Sequence, residues 1–160
     1  MVSSRELKAF EFFSGLNDSE LEAVSAICHE RTLEAGTTCF TQGKAARELH
    51  LLREGKVDLT IEYTEAPDIR IRIHSAMPTE VFGWSVLVEP YIYTSSAKCA
   101  ERVEEIYLRG PDLQALLDQN PRMGYMLMKN LSAIISSRLM AYRQTLSRAL
   151  ARDIRDDLEW

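Results

Sequence analysis

The stretch from Leu33 to Ile61, LEAGTTCFTQGKAARELHLLREGKVDLTI, places three glycines between short runs of strand-forming residues. Gly36, Gly43 and Gly55 can each supply the positive φ that a tight turn requires. Short runs separated by turns about every 8–12 residues are typical of a β-sandwich or barrel. The pattern therefore predicts a compact roll of hairpins rather than a catalytic loop.

The β pattern continues on both sides of this stretch, from residue 31 to about residue 108. Its clearest part is TIEYTEAPDIRIRIH, residues 60–74, in which apolar and polar residues alternate around a turn. The apolar members are Ile61, Tyr63, Ile69, Ile71 and Ile73, and the polar members after the turn are Arg70, Arg72 and His74. Since alternate residues of a strand face opposite sides, we predict a hairpin with one solvated face.

Helical patterns precede the β region. The lead-in, residues 1–30, contains a capping box at Ser3 and Glu6 and a second capping position at Asn17 or Asp18. Apolar residues follow at helical spacing, namely Leu7, Phe10 and Phe13 in the first helix and Leu21, Val24 and Ile27 in the second. We therefore predict two short helices before the barrel.

Helices return in residues 111–160, where Pro111 and Pro121 suit first helical positions. No glycine or proline after Gly124 interrupts an apolar stripe made of Leu127, Leu131, Ile135, Leu139, Tyr142, Leu146, Leu150, Ile154 and Leu158. About 35 residues rising ~1.5 Å each form a rod of roughly 50 Å, longer than a small barrel can cover. We expect the distal stripe to pack on a second copy of the chain, in a homodimer that uses Ile135, Leu139, Tyr142, Leu146 and Leu150. The alternative is a helix that breaks and folds back, or frays.

The spacing of small and apolar residues resembles that of the cyclic nucleotide-binding domain, the sensor domain of the catabolite-activator and fumarate/nitrate-regulator superfamily. The matching residues are Leu33-x-Ala35-Gly36, Gly43, Leu49-x-Leu51 and Gly55-x-Val57-x-Leu59. The resemblance covers nearly the whole chain and implies one α+β domain, residues 1–160. Its centre would be a double-stranded β-helix (jelly-roll) barrel over residues 31–108, with leading helices and a long C-terminal helix. It also implies a regulatory role in signal transduction.

In that family a phosphate-binding cassette usually reads Phe-Gly-Glu, passes through a short helix, and reaches Arg-Ser/Thr-Ala. The acid binds the ribose hydroxyl and the arginine pairs with the cyclic phosphate. In this chain Phe82 and Gly83 match, Trp84 takes the place of the acid, and Tyr93 takes the place of the arginine. Because each lost charge-assisted bond costs about 1.5–3 kcal/mol, we expect cyclic AMP to bind poorly.

The cassette is instead rich in aromatic and hydroxyl groups, which suit a planar or mixed-polarity effector held by stacking and neutral hydrogen bonds. The candidate ligand-binding residues are Phe82, Gly83, Trp84, Ser85, Tyr93, Thr94 and Ser95. Tyr91 and Ser96 belong to the same aromatic and hydroxyl-rich set. The alternative is that Trp84 and the tyrosines fill the barrel, which would leave a degenerate module that only dimerises or docks.

Charge and composition limit the kinds of partner that the chain is expected to bind. A net charge of -5 gives no general attraction to nucleic acid or to an anionic membrane. The segment from Arg138 to Trp160 contains five arginines and four acidic residues. The resulting net charge of +1 is typical of a mixed-charge helix and not of a DNA-reading helix. We expect no direct binding to nucleic acid and no membrane association. Three widely spaced cysteines, Cys28, Cys39 and Cys99, favour buried free thiols and a cytoplasmic location.

Catalytic and metal-binding patterns are missing from the sequence. His29, His50 and His74 are isolated, without the close histidine pair that a cupin-like metalloprotein, the third alternative, requires. There is no G-x-S-x-G elbow and no phosphate-binding P-loop. We therefore predict a non-enzymatic ligand sensor without a metal or another cofactor.

Overall fold

The computed structural model describes residues 2–63 and 66–158, with the backbone alone for residues 63, 66–69, 149 and 152–158. Within these residues, eight strands form two four-stranded antiparallel sheets. The strands are β1 (Cys28–Leu33), β2 (Thr38–Phe40), β3 (Glu48–Glu54), β4 (Val57–Tyr63), β5 (Ala66–Ala76), β6 (Val81–Phe82), β7 (Ser96–Cys99) and β8 (Val103–Arg109). One sheet has the order β1-β8-β3-β6 and the other β2-β7-β4-β5. The predicted α+β jelly-roll barrel is confirmed.

Four α-helices are present in the described residues: α1 (Ser4–Leu7), α2 (Asp18–Ala26), α3 (Gly110–Gln119) and α4 (Pro121–Leu158). The capping box of α2 forms as predicted, since the Asn17 side chain accepts from the Glu20 backbone N–H at 2.9 Å and Glu20 accepts from the Asn17 N–H at 2.8 Å. Short 3₁₀ helices lie at Glu11–Phe13 and Trp84–Leu87.

Two apolar cores lie on the two faces of the β1-β8-β3-β6 sheet. Alternation along β3 and β8 sends Leu49, Leu51, Ile106 and Leu108 to the helical side, where they pack with the lead-in helices and with the start of α4. The opposite face contributes Leu52 and Val103 to the interior of the barrel, together with the second sheet. Because the same strands serve both cores, the helices are fixed to the outside of the barrel.

The turn between β3 and β4 explains one of the glycines that the sequence singled out. Gly55 has φ +89°, and a β-carbon there would collide with the backbone carbonyl of Arg102. Only glycine fits this close approach of two chain segments.

The lead-in differs from the sequence prediction. Instead of one helix through Leu7, Phe10 and Phe13, α1 ends at Leu7, and a separate 3₁₀ turn begins at Glu11. All three apolar side chains are nevertheless buried. The break lets Phe10, Phe12 and Phe13 all turn toward the core, which a continuous helix could not do.

The predicted hairpin forms from β4 and β5, but its solvated face is not restricted to one side. Ile71 is 49% exposed and its neighbour Arg72 is also exposed, whereas Ile73 packs on the barrel core. A register irregularity between Leu59 and Thr60 breaks the simple alternation. The hairpin therefore extends past the part of the barrel that could bury it. The side chains of Tyr63 and Ile69 and the turn at residues 64–65 lie outside the residues that the structure describes.

The C-terminal pattern forms a single helix, α4, without the break that was the alternative. Its first turns are buried at Met123, Leu127 and Leu131, while Leu139 and Leu146 are more than half exposed. The side chains of Ile154 and Leu158, which complete the predicted stripe, are not among those described. Among the described residues, no helix is both long enough and apolar enough to cross a membrane.

Candidate functional site

The cassette is built around Gly83, between β6 and the 3₁₀ helix Trp84–Leu87. Gly83 has φ +75°, and a β-carbon there would lie 2.8 Å from Cδ2 of His50 and 3.2 Å from Cε1 of Phe40. Glycine is therefore required both for the left-handed backbone and for the close packing on the barrel interior. It turns the chain so that Trp84 faces the long helix.

A cavity of about 130 Å³ lies beside this turn. Six of the seven predicted ligand-binding residues line it: Gly83, Trp84, Ser85, Tyr93, Thr94 and Ser95. Phe82 does not, because β6 pairs with β3 and directs the ring into the barrel, where it stacks on His50 at 4.8 Å. Tyr91, which is 39% exposed, and Ser96, which accepts from the Gln42 N–H, also lie away from the cavity.

Tyr93 fills the barrel where the family resemblance led us to look for an arginine. It is 5% exposed, and its ring stacks on Phe40 with the centroids 3.9 Å apart. Its hydroxyl accepts from the backbone N–H groups of Arg47 and Glu48 and donates to the Glu48 carbonyl at 3.0 Å. Burial raises the pKa of this phenol, so it stays neutral. One side of Tyr93 closes the cavity, but its hydrogen-bonding capacity is already used.

Trp84 is half-buried and carries a cation on its face. The guanidinium carbon of Arg138, from α4, lies 4.6 Å from the centre of the Trp84 ring. Nη2 of Arg138 donates to the Val81 carbonyl at 3.3 Å. The cassette thus has a positive charge, supplied by the long helix and not by its own loop.

Sequence reasoning missed Arg138 as a site residue by grouping it with the exposed charges of the distal helix. In the structure only 11% of its side chain is exposed. Burial lowers its pKa, and the nearby Glu80 and Tyr142 offset this only in part. The signal was present in the spacing, because Arg138 continues the buried stripe of α4 through Leu127, Leu131 and Ile134.

A larger cavity of about 380 Å³ adjoins the first one, in the groove between α4 and the barrel. The two cavities share Ile73, Arg138 and Tyr142. On the barrel wall, Nε2 of His74 lies 2.7 Å from Oε2 of Glu80. Burial acts to raise the pKa of Glu80, but the bonds from His74 and the Met77 N–H, with the charges of His74 and Arg138, hold it below its usual range.

A separate ionic cluster lies inside the barrel, and sequence reasoning missed it as well. Arg31 bonds Glu105 at 2.6 Å and Glu48 at 2.8 Å, and Nδ1 of His50 lies 3.2 Å from Glu105. Burial acts to raise the pKa of Glu105, but His50 and Arg31 outweigh it and the pKa lies below its usual range. Among the described residues, Nε2 of His50 is buried without a hydrogen-bond partner.

The remaining chemistry-bearing groups do not converge. Among the described residues, no three His, Cys, Asp or Glu side chains are placed to hold a metal ion. The cysteines Cys28, Cys39 and Cys99 are free, with Sγ of Cys39 3.7 Å from Sγ of Cys99. Burial raises the pKa of the Cys28 thiol to about 12. It also raises the pKa of Cys39 and Cys99, so these groups remain protonated.

Most of the barrel and the glycine-led cassette lie within a stretch that matches a known family model. The model of the cyclic nucleotide-binding domain matches residues 30–120. The chain belongs to this family. Cyclic nucleotide-binding domains are regulatory units, and the match includes both the barrel and the cassette.

Solved structures of this family have the same architecture. A putative cyclic nucleotide-binding protein from Geobacter metallireducens is 32% identical, with a TM-score of 0.76 over 87% of this chain and 99% of that one. The catabolite activator protein of Thermus thermophilus is 25% identical, with a TM-score of 0.70 over 87% of this chain and 62% of that protein.

One curated relative is a longer protein that is named as a glutaminase. Glutaminase 1 of Bradyrhizobium diazoefficiens is 30% identical over 137 residues, which are 84% of this chain and 21% of the glutaminase. The chain therefore spans about a fifth of that protein's length.

Proposed function

We propose that this cyclic nucleotide-binding-like domain is a non-enzymatic sensor in which a small effector binds at the cassette and changes how α4 packs on the barrel. The observation that carries the proposal is the contact between Arg138 of α4 and the face of Trp84. A ligand that enters beside Trp84 must meet or displace this arginine. Binding would therefore bias α4 between two packings, without any metal or other cofactor.

The same geometry argues against cyclic AMP held in the family's usual way. Trp84 and Tyr93 stand where the resemblance implies the acid and the arginine. The Tyr93 hydroxyl is already bonded to the backbone of residues 47 and 48. The cassette cavity, about 130 Å³, is also smaller than the roughly 300–1,000 Å³ of most ligand pockets. Another effector, held by stacking and by neutral hydrogen bonds to Ser85, Thr94 and Ser95, fits this lining better.

The output would pass through a homodimer formed by α4. Ile135, Leu139, Leu146 and Leu150 are between 39% and 59% exposed along the distal helix. Large apolar side chains in such a row are stabilised when a second helix covers them. Tyr142 lies on the same part of the helix, half-buried beside Arg138.

A second candidate function is a degenerate domain that only dimerises or docks. The burial of Tyr93 against Phe40 supports it, because this tyrosine fills space that a ligand would otherwise use. This alternative expects a dimer whose stability no small molecule changes.

Calorimetric titration with cyclic AMP, cyclic GMP and a panel of small effectors tests the two candidates. We expect no saturable binding of either cyclic nucleotide in the micromolar range, and saturable binding of another effector that Trp84→Ala abolishes. The matched control is Tyr125→Ala, since Tyr125 is an aromatic residue of α4 that is 67% exposed and lies outside both cavities. Micromolar binding of cyclic AMP would contradict the argument from the cassette. Binding of no effector at all would favour the docking module.

A further inference from the structure

The groove between α4 and the barrel has the size of a ligand site. Its volume of about 380 Å³ falls within the roughly 300–1,000 Å³ that is common for small-molecule pockets. One wall is apolar and includes Phe12, Val81 and Ile134. The polar lining includes Glu80, Ser137 and Thr145. Such a groove can hold a body with apolar surface and one charged or polar end.

Arg138 is placed at the junction of this groove and the cassette cavity. Among the described residues, it is the only charged side chain that lines both. A guanidinium has five N–H donors in a planar fork. The Val81 carbonyl accepts one of them at 3.3 Å, the Tyr142 hydroxyl accepts another, and the Trp84 ring covers one face of the group. Donor capacity therefore remains for an acceptor that enters from the groove.

Glu80 does not fully neutralise Arg138. Its Oε2 atom lies 3.7 Å from Nη2 of Arg138, beyond hydrogen-bond length. The same oxygen already accepts from the Met77 N–H at 3.1 Å and lies 2.7 Å from Nε2 of His74. Glu80 thus forms an ion pair with Arg138, but its hydrogen bonds go to the barrel side and none of them goes to the guanidinium. A largely buried cation in that condition gains from an anion that can bond to its fork.

We propose that Arg138 and the adjoining groove form a binding site for a small organic anion, whose phosphate or carboxylate group pairs with Arg138 while its apolar or planar body occupies the groove. This inference rests on the proposed sensing function and deepens it, because it moves the charged end of the effector from the cassette loop to α4. Binding then acts on the long helix directly. The cassette contributes the Trp84 face and the hydroxyl groups beside it.

The fluorescence of Trp84 is the quantity that the experiment measures. The chain has two tryptophans, Trp84 and Trp160, so Trp160→Phe leaves Trp84, which lies under the Arg138 guanidinium, as the only tryptophan. In that background Trp84 fluorescence is titrated with four probes. Phenyl phosphate and benzoate combine an anion with a planar body, inorganic phosphate has the anion alone, and benzamide has the body alone. We expect saturable changes with phenyl phosphate or benzoate, at affinities at least about tenfold higher than for inorganic phosphate or benzamide.

Substitutions of Arg138 then test the assignment. Arg138→Gln should weaken binding of the anionic probe by roughly tenfold or more, since a charge-assisted bond is lost. Arg138→Lys should recover part of the affinity, because a lysine keeps the charge but not the fork. Arg143→Gln is the matched control on the same helix, since Arg143 is exposed and outside the groove, and it should leave the affinity unchanged. Circular dichroism checks that each variant is folded.

Three outcomes overturn the proposal. One is the absence of saturable binding by both phenyl phosphate and benzoate. Another is equal affinity in the Arg138→Gln variant. The third is binding that survives Arg138→Gln but is lost in Ser85→Ala, which would leave the sensing function intact and return the whole ligand to the cassette. If calorimetry also finds no effector for the unaltered protein, the proposed function fails together with this inference.

Discussion

The two parts of α4 carry the same apolar repeat and differ in what covers it. In the first part, Met123, Leu127 and Leu131 are at most 1% exposed against the lead-in helices and the outer face of the sheet. In the second part, Leu139, Leu146 and Leu150 are 51–59% exposed. Arg138 marks the change from one part to the other. The comparison teaches that a stripe of leucines predicts an apolar helix face that another surface must bury. The length of the barrel decides whether that surface comes from the same chain.

The largest expected effect is on stability in the first part of the helix. Leu127→Ala should lower the free energy of unfolding by about 2–5 kcal/mol, because it leaves a cavity in a packed core. Leu146→Ala, the matched change in the second part, should cost less than about 0.5 kcal/mol in the monomer, because little is buried there. Urea unfolding monitored by circular dichroism, at concentrations low enough for monomers, measures both. Similar losses at the two positions would mean that the comparison is wrong.

The next effect concerns the association of the second part. The double variant Leu139→Glu with Leu146→Glu should weaken the proposed dimer by roughly a hundredfold or more, because an unpaired carboxylate is costly to bury. Sedimentation velocity at micromolar protein concentration follows the shift to monomer.

Gln144→Glu is the control for this experiment, because it adds a carboxylate on the opposite side of the helix. It should leave the dimer intact. An unaltered protein that is already monomeric at micromolar concentration would remove the basis for dimerisation through α4.

The smallest effect is expected at Glu80, the barrel residue that forms an ion pair with Arg138, where the two parts of α4 meet. Its pKa lies below the ordinary value of 4.5, despite burial, because of the bonds from His74 and Met77 and the charges of His74 and Arg138. Its stabilising contribution should therefore be present above that value and be lost as the pH falls through the lowered pKa. Since 37% of the side chain is exposed, we expect only a few tenths of a kcal/mol.

Urea unfolding of the unaltered protein and of Glu80→Gln, from pH 7 downward, measures this difference. The two stabilities should differ at neutral pH and approach each other in acid. A difference that grows as the pH falls would contradict the sign of the pKa shift.

Local patterns predicted much of the fold because they depend on neighbours in the sequence. Gly55 and Gly83 lie in turns whose positive φ suits glycine. Asn17 caps α2 by hydrogen bonds with Glu20, only three residues away. The alternation around Ile73 predicted a hairpin. It did not predict the exposure of Ile71, because that depends on where the facing sheet ends.

The candidate site was predicted only in part. The loop from Gly83 to Ser95 was identified from its spacing, and most of its predicted residues do line one cavity. Arg138 was missed because it lies more than forty residues away along the chain, and only tertiary packing brings it over Trp84. Phe82 was assigned to the cavity because it precedes the glycine, yet its pairing with His50 turns it into the barrel.

The sequence by itself determined the barrel, its flanking helices and the cassette, because turn residues and apolar periods act over a few residues. It also determined that uncharged residues, Trp84 and Tyr93, stand at the two positions where the family usually has an acid and an arginine. Only the tertiary structure decided that Tyr93 packs in the barrel with its hydroxyl satisfied, and that a cation from α4 stands over the cassette. The physical reason is that burial and charge pairing depend on which distant segments meet. That meeting is fixed by the packing of α4 against the Glu11–Phe13 turn and α3, not by the order of residues in any one segment.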